Sequence, residues 1–287
     1  MNKIKTALIS VSDKRNLQNL LSVLRKYDIK IISSGGTFRE IKKLGFNCVE
    51  VSKFTEFPEI LDGRVKTLHP KIHGGILSKR GNKKHSKEVR DNNLENIDLV
   101  IVNFYPFEKK IETSSNHNQI IENIDIGGPT MVRAAAKNYR DVTVLTSSNQ
   151  YYDLTNQLKK NHGATTLEFR KKMSQSAFTE TAYYDSLIAN YFNEFTRNTF
   201  PQKKIIHSRL IEQLRYGENP HQKSSIYSFG NSLELKQLNG KQLSYNNFND
   251  IYAALTISKS LPINKGVVIV KHANPCGVSI INNKIKC

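Results

Sequence analysis

Hydrophobic residues near the start of the chain form one continuous run followed by an amphipathic segment. The run from Ile4 to Val11 is almost entirely apolar. Leucines then recur at the spacing of one helix face, at Leu17, Leu20, Leu21 and Leu24. An apolar run without alternation predicts a strand that is covered on both faces, as the strands of a parallel sheet are. The pattern therefore predicts a strand and then a helix that packs on a parallel sheet.

The same succession of strand and helix patterns continues along the first half of the chain. Further strands are predicted at Ile29 to Ser33, Asn47 to Val51, Ile97 to Asn103 and Val142 to Thr146. Helices are predicted at Phe38 to Leu44 and Pro129 to Ala136, and two more within Ser148 to Phe195. This order favours an α/β fold, with a Rossmann-type parallel sheet and helices on both of its faces.

A second domain is predicted after a polar linker from Thr196 to Lys204. A helix is expected at Asp250 to Ser260, and an apolar, buried strand at Gly266 to Val270. We therefore expect two domains, at residues 1–198 and 199–287. The first clear strand–loop motif of the second domain lies close to the last residue, so we expect that domain to be truncated.

The chain is strongly basic, which allows three interpretations. Among 287 residues, 43 Lys and Arg stand against 25 Asp and Glu, a net charge of +18. The charge could serve a nucleic-acid-binding surface, reflect compositional drift in a chain also rich in Asn and Ile, or surround a small anionic substrate. The densest basic run, Lys79 to Lys84, has no aromatic platform beside it. We favour drift and predict no nucleic-acid partner.

Membrane and secreted classes are disfavoured by the apolar runs and the cysteines. No apolar run approaches the ~20 residues that a membrane helix needs, and Ala7 to Val11 is too short for a secretory signal. Cys48, Cys276 and Cys287 include no Cys-x-x-Cys pair, which excludes disulfide scaffolds and cysteine zinc sites. We expect a soluble, cytoplasmic protein with no membrane partner.

Two strand ends carry small polar residues suited to an anion. Ser33-Ser34-Gly35-Gly36-Thr37 lies between a predicted strand and a helix, and Ser10 to Lys14 ends the preceding strand in a similar way. Glycines let the backbone approach an anion, and N–H groups at a helix start point toward it. Because the carboxyl ends of parallel strands share one crevice, the two loops could form one phosphate cradle. An ordinary strand–helix turn explains either segment equally well.

The segment from Asp62 to Gly75 predicts an ordered loop rich in cations. Arg64 can grip a phosphate in a bidentate manner, and Lys66 can supply a mobile charge or a proton. A solvated basic loop is the alternative interpretation. His69 and His73 have the spacing of zinc ligands, but the proline between them and the absence of a glutamate argue against zinc.

Two further segments combine polar groups with strand or helix ends. Tyr105 lies in Asn103 to Phe107 at the end of a predicted strand, where packing under a loop is the alternative role. Asp125 precedes a helix start, where capping would explain it equally well. Lys137 follows a run of alanines about two turns later, and a salt bridge is its alternative role.

The second domain carries two motifs, Arg215 to His221 and Lys271 to Gly277. His272 follows the predicted buried strand, a common place for a catalytic imidazole. The second motif is similar to the zinc-deaminase pattern, but the required Glu and second Cys are absent. We therefore predict no metal.

Together these motifs resemble the bifunctional purine biosynthesis family that joins phosphoribosylaminoimidazolecarboxamide (AICAR) formyltransferase to IMP cyclohydrolase. The resemblance implies a methylglyoxal-synthase-like cyclohydrolase domain followed by a cytidine-deaminase-like α/β transformylase domain. The family is longer than this chain, so most of the transformylase, and with it formyl transfer, is expected to be missing. The matching segments are Ile9 to Lys14, Ser34 to Thr37, Leu61 to Gly75, Asn103 to Phe107, Ile124 to Asn138, Leu214 to Gln222, Leu243 to Asn247 and Val270 to Gly277.

The resemblance also implies the residues of both sites. Catalytic roles are implied for Lys66, Tyr105, Asp125 and Lys137 in the cyclohydrolase, and for Lys271 and His272 in the transformylase. Substrate contacts are implied for Ser12, Asp13, Lys14, Ser34, Gly35, Gly36, Thr37, Arg64, Val65, Thr67, Val102, Asn103, Ile126, Arg215 and Tyr216.

The substrate implied by the resemblance is a small purine nucleotide precursor, 5-formyl-AICAR, which closes to IMP with loss of water. No cofactor is implied for that step; 10-formyltetrahydrofolate is the co-substrate of the transformylase, and family members are homodimers. Arg15 and Tyr139 depart from the family pattern, and Arg15 could alter the first loop. The alternatives are methylglyoxal synthase or a regulatory ligand-binding module on the same fold, and a basic nucleic-acid-binding protein.

Overall fold

The computed structural model describes residues 1–229, 233 and 235–280. The chain divides into two units, residues 1–205 and residues 206–287. Within the described ranges, none of the helices combines the length and the hydropathy that a membrane span requires.

The first unit alternates strands and helices, as its hydrophobic pattern predicts. Its strands are β1 (Asn2–Lys3), β2 (Thr6–Val11), β3 (Lys30–Ser33), β4 (Val49–Glu50), β5 (Leu99–Asn103), β6 (Thr143–Leu145) and β7 (Ala164–Thr165). Its helices are α1 (Leu17–Lys26), α2 (Gly35–Lys43), α3 (Val51–Thr55), α4 (Pro70–Leu77), α5 (Lys83–Asp91), α6 (Phe107–Thr113), α7 (His117–Ile121), α8 (Gly127–Lys137), α9 (Tyr151–Lys160) and α10 (Leu167–Phe195). Short 3-10 turns lie at Leu61–Gly63 and Ser148–Gln150.

Five of these strands form one parallel sheet in the order β4-β3-β2-β5-β6. In the centre, Ala7 of β2 lies opposite Ile31 of β3 and Leu99 of β5. The chain builds outward from β2 on one side and then crosses to the other side at β5. The carboxyl ends of β2 and β5 therefore meet where the direction of winding reverses, which is where parallel sheets leave a crevice. The predicted α/β fold with a parallel sheet is confirmed.

Helix α4 replaces part of the loop that was predicted over residues 62–75, and that part of the prediction is wrong. Pro70 is the first residue of the helix, where a missing N–H breaks no helical hydrogen bond. His69 caps the helix, because its Nδ1 accepts a hydrogen bond of 3.1 Å from the N–H of Lys71. Ile72 and Ile76 are completely buried on its inner face.

The described residues of the second unit form two antiparallel strand pairs and one helix. Its elements are β8 (Arg209–Gln213), β9 (Ser225–Ser228), α11 (Tyr245–Lys259), β10 (Gly266–Lys271) and β11 (Asn274–Ile280), with β8 paired to β9 and β10 to β11. Helix α11 begins five residues before the predicted start, because Ser244 and Asn247 form a capping box. The strand predicted at 266–270 is present, but the prediction that it is buried is wrong. It belongs to a two-stranded hairpin and is largely exposed.

Candidate active site

A cavity of about 570 Å³ opens in the first unit at the carboxyl ends of β2, β3 and β5. Its wall also includes the start of α8 and the turn at Leu61–Gly63. Most of the site residues predicted for this unit line it together: Ser12, Lys14, Ser34, Gly35, Gly36, Thr37, Arg64, Lys66, Thr67, Asn103, Tyr105, Asp125 and Ile126. The remaining four, Asp13, Val65, Val102 and Lys137, are not part of the lining.

The side chain of Asn103 organises the loop that follows β2. Its Oδ1 accepts hydrogen bonds from the N–H groups of Ser12 and Asp13 at 2.7 and 2.9 Å, and its Nδ2 donates to the carbonyl of Asp13. The hydroxyl of Ser12 lies 2.9 Å from the same Oδ1 and 2.7 Å from the carbonyl oxygen of Phe104. Asn103 and Ser12 therefore hold the loop in place with polar atoms that already have protein partners.

The first turn of α2 offers N–H groups to the cavity. Gly35 has a φ of +54°, a conformation that favours glycine. The hydroxyl of Thr37 both accepts from the N–H of Val11 and donates to its carbonyl, at 2.9 Å each, which joins α2 to the end of β2. Within the described residues, the N–H groups of Gly35, Gly36 and Thr37 donate no hydrogen bond. Free N–H groups at a helix start form an anion-binding position.

Three cationic side chains line the same cavity. The Nζ of Lys66 lies 3.2 Å from Oε1 of Glu59, and Arg64 forms an ion pair with Glu122. Lys14 extends from the β2 loop and is exposed. The lining therefore combines these three cations with three carboxylates, those of Asp62, Glu122 and Asp125.

Asp125 lies in the connection between α7 and α8 and is held through both its carboxylate and its backbone. Oδ1 accepts a hydrogen bond of 2.8 Å from the N–H of Gly128 in the first turn of α8, although the N-cap position itself is Ile126. Its own N–H donates to the hydroxyl of Tyr184 at 2.8 Å. Burial raises the pKa of Asp125, while the Gly128 hydrogen bond and the charge of Lys66 partly oppose that rise. Such a carboxyl takes up a proton more readily than an exposed one, as a general base must.

The glycine pair at the start of α8 permits two close approaches. A methyl group at Gly127 would lie 2.6 Å from Oγ1 of Thr67, and one at Gly128 would lie 2.4 Å from Oδ2 of Asp125. Side chains at these positions would collide with the two cavity residues. The pair therefore brings Thr67 and Asp125 against the backbone of the helix.

The structure places the four remaining predicted residues of this unit elsewhere. Val65 pairs through its backbone with Ile60, and Val102 is buried within β5. The carboxylate of Asp13 accepts hydrogen bonds from Arg15 and from the hydroxyl of Ser148. The guanidinium of Arg15 holds the pKa of Asp13 well below its usual range. Lys137 is the exposed last residue of α8, about 15 Å along the axis from the end that reaches the cavity.

The predicted residues of the second unit lie on two separate segments. The guanidinium of Arg215 lies over the ring of Tyr216 at 4.8 Å and donates to its hydroxyl. Lys271 ends β10, and His272 and Ala273 form a two-residue turn with φ of +54° and +57°. No hydrogen bond among the described residues joins the Arg215–Tyr216 pair to the Lys271–His272 pair. Lys271 and His272 are exposed.

Several features of the site carried no signal in the sequence. Glu59 and Glu122 pair with the cavity cations, but nothing in the sequence distinguishes them from ordinary surface acids. Tyr184 is likewise only one residue of a predicted helix in the sequence. In the described part of the chain, no three His, Cys, Asp or Glu side chains are grouped so that they could hold a metal.

The fold and cavity define a class of protein, an α/β domain with a cavity at the strand ends of its parallel sheet. The sequence profile of the MGS-like domain matches residues 16–130. That of the AICARFT/IMPCHase bienzyme matches residues 135–286. The chain belongs to the AICARFT/IMPCHase bienzyme family.

Curated relatives and one solved structure agree with this assignment. The bifunctional purine biosynthesis protein PurH of Rhizobium rhizogenes is 45% identical over 283 residues, covering 96% of this chain and 53% of the relative. The proteins of that name from Clostridioides difficile and Prochlorococcus marinus are 46% and 47% identical, covering 96% and 98% of this chain and 55% and 57% of the relatives. The chain thus spans about half the length of these relatives. The crystal structure of ForH is 30% identical, with a TM-score of 0.60, over 66% of this chain and 99% of that chain.

Proposed function

We propose that the first unit is an IMP cyclohydrolase, which closes 5-formyl-AICAR to IMP. The observation that carries this proposal is the convergence of Lys66, Tyr105 and Asp125 on one cavity that also contains the free N–H groups of α2. The membership in the bienzyme family and the PurH relatives support it. The assignments of single residues below are part of the proposal.

The phosphate of the nucleotide binds at the first turn of α2. There the N–H groups of Gly35, Gly36 and Thr37 donate to its oxygens, and the helix dipole adds to their attraction. Lys14 and Arg64 supply the neighbouring positive charges. Arg64 leaves Glu122 to engage the ligand, because a fully charged phosphate is the stronger partner.

Ring closure requires one bond to form and one water to leave. The carboxamide nitrogen attacks the formyl carbon and loses one proton, while the formyl oxygen gains one. The resulting hydroxyl group departs as water as the former formamide nitrogen gives up its proton. Asp125 orients or deprotonates the attacking amide, and Lys66 with Tyr105 stabilises the charge on the formyl oxygen. Holding the carboxamide and the formyl group together in one cavity provides the rest of the rate acceleration.

Turnover of 5-formyl-AICAR by the purified chain tests this function. We expect wild type to cyclise it and Lys66→Ala to lower kcat at least about 100-fold, the usual loss for one charge-stabilising group. Lys66→Arg, which keeps the charge, should retain more activity than Lys66→Ala. Methylglyoxal release from dihydroxyacetone phosphate is the control for the related fold. Methylglyoxal formation without cyclisation would overturn the proposal.

Lys137 remains a prediction from the family resemblance, which the geometry of a single chain does not support. Measuring kcat for Lys137→Ala and for Lys66→Ala will distinguish the contributions of the two lysines. A fall in kcat for Lys66→Ala alone would restrict the site to the cavity. A fall in both would establish a proton-transfer role for Lys137.

The second activity, formyl transfer from 10-formyltetrahydrofolate to AICAR, belongs to the proposal for the whole protein. In the described part of the second unit, Lys271 and His272 are exposed at a hairpin turn, so we expect no formyl transfer from this chain alone. Formyl transfer detected by the consumption of 10-formyltetrahydrofolate would contradict that. The homodimer and the cytoplasmic location also stay predictions, and light scattering of the purified chain tests the first.

A further inference from the structure

A buried tyrosine outside the cavity lining makes the contact that fixes the backbone of Asp125. Tyr184 lies on α10, is 4% exposed, and accepts a hydrogen bond of 2.8 Å from the N–H of Asp125. Its hydroxyl donates to the carbonyl oxygen of Asn123, with 3.5 Å between the two oxygens. The same hydroxyl thus touches the chain on both sides of Ile124, in a connection that has no regular structure of its own.

The ring of Tyr184 packs against the other segment of the site. Its centroid lies 4.9 Å from that of Phe104, and it meets Phe107 edge-on at 6.0 Å. Phe104 separates Asn103 from Tyr105, and its carbonyl oxygen lies 2.7 Å from the hydroxyl of Ser12. The side chain of Tyr184 therefore contacts both the connection that contains Asp125 and the segment that follows β5.

We infer that Tyr184 is a positioning residue for Asp125 in the proposed cyclohydrolase site. The carboxyl of Asp125 is held at Oδ1 by the N–H of Gly128, and its backbone is held by Tyr184. Without the hydroxyl, the N–H of Asp125 loses its acceptor in a poorly hydrated place, and the connection must rearrange to find another. The carboxyl of Asp125 then moves away from the position in which it accepts the hydrogen bond from the N–H of Gly128.

The ionisation of both groups fits this role. Burial raises the pKa of Tyr184 to about 12, so the phenol remains neutral and can accept from one neighbour while donating to another. Tyr184 contacts the backbone of Asp125, and the cavity that Asp125 lines also carries Lys14, Asp62, Arg64, Lys66, Tyr105 and Glu122. Of the charged ones, Lys66 lowers the pKa of Asp125. A weaker Gly128 hydrogen bond would raise that pKa further.

The test compares Tyr184→Phe with Tyr191→Phe. Both substitutions remove one phenol hydroxyl from α10 and keep a ring that packs on Phe107. The hydroxyl of Tyr191 lies 2.8 Å from Nδ1 of His117 and does not contact Asp125. Tyr191→Phe therefore controls for a general loosening of the helix. Thermal unfolding of both variants establishes that they fold.

The inference rests on the proposed function, so one of its two readouts does not require turnover. We expect Tyr184→Phe to lower the cyclisation kcat about 10-fold with KM within twofold, and to move the acid limb of the kcat profile to higher pH. A ¹³C-carboxyl NMR titration of the ligand-free chain, assigned with Asp125→Asn, should show the Asp125 pKa shifted upward. Tyr191→Phe should match wild type in both measurements.

The outcomes separate the two proposals. An unchanged kcat and an unchanged Asp125 titration in Tyr184→Phe would overturn the inference, as would equal losses in both variants. A wild-type chain that does not cyclise would refute the proposed function. In that case the NMR titration alone decides whether Tyr184 holds the Asp125 carboxyl.

Discussion

Two nearly identical strand sequences in this chain have opposite environments. Leu99-Val100-Ile101-Val102 of β5 and Val267-Val268-Ile269-Val270 of β10 differ only at their first residue. Ile101 is 1% exposed and Ile269 is 61% exposed. The first strand lies inside a five-stranded sheet that carries helices, and the second lies in a two-stranded hairpin. Apolar composition therefore identifies a strand, but the layers around it decide whether the strand is covered.

The largest expected difference is between alanine substitutions at the matched isoleucines. Ile101→Ala removes fully buried methyl groups and leaves a cavity, so we expect a loss of about 4 kcal/mol in the free energy of unfolding. Ile269→Ala removes atoms that are already largely hydrated, and the change should stay within about 1 kcal/mol. Urea unfolding of both variants measures the two changes. Equal losses would show that the hairpin is as well covered as the sheet.

One buried and one exposed arginine allow the same comparison of the two units for polar side chains. Arg170 is 2% exposed and donates to the carbonyls of Tyr139, Arg140 and Thr165. Arg170→Met leaves these carbonyls without their donor and should cost about 3 kcal/mol. Arg215 is exposed and contacts the ring beside it, so Arg215→Met should change stability by less than about 1 kcal/mol. Thermal and urea unfolding measure both. A small effect at Arg170 would mean that water replaces it.

Two glycines extend the comparison to activity. In Gly128→Ala the new methyl group meets the Asp125 carboxyl, which must turn away, and kcat for cyclisation should fall about 100-fold, or about 2.7 kcal/mol. At Gly277 no heavy atom of the described residues, apart from the glycine and its two chain neighbours, lies within 4 Å of the new methyl position, so Gly277→Ala should leave kcat unchanged. Steady-state kinetics of the two variants decide this. Retention of more than half the activity by Gly128→Ala would show that Asp125 acts from another position.

The smallest expected effect is a gain in stability. Tyr151 is 3% exposed, and its buried hydroxyl has no hydrogen-bond partner among the described residues. Tyr151→Phe removes that unpaired group and should stabilise the chain by about 0.5 kcal/mol. Tyr252 is 46% exposed, and Tyr252→Phe should have no effect. Differential scanning calorimetry measures both, and a loss of stability in Tyr151→Phe would reveal a partner for its hydroxyl.

The hydrophobic pattern predicted the strands of the parallel sheet and the helices α1, α2, α8, α9 and α10, but it did not predict the helices α3 to α7. Helix α4 lies where a loop was predicted, and α11 begins five residues before its predicted start. Local signals were present in each case: a proline at the first helical position after His69, and a Ser244–Asn247 capping box. These caps are interactions between residues two or three apart, so sequence reasoning that weighed them would have found both helix starts.

The sequence predicted the candidate site only in part. Strand-end loops with glycines, hydroxyls and cations were visible in the sequence because strand ends of a parallel sheet share one crevice. The partners of those residues were not visible. Asn103 holds Ser12 across 91 positions, and Tyr184 holds Asp125 across 59. A pairing over such a separation leaves no periodicity to detect.

By itself, the sequence determined which segments are strands or helices and which loops carry polar chemistry, because period, caps and turn residues act over a few neighbouring positions. Only the tertiary structure decided that β5 is covered while β10 is exposed, that Lys137 is absent from the cavity lining, and that Tyr184 reaches Asp125. The physical reason is that burial and long-range hydrogen bonds depend on segments that are distant in the chain and meet only when the layers pack.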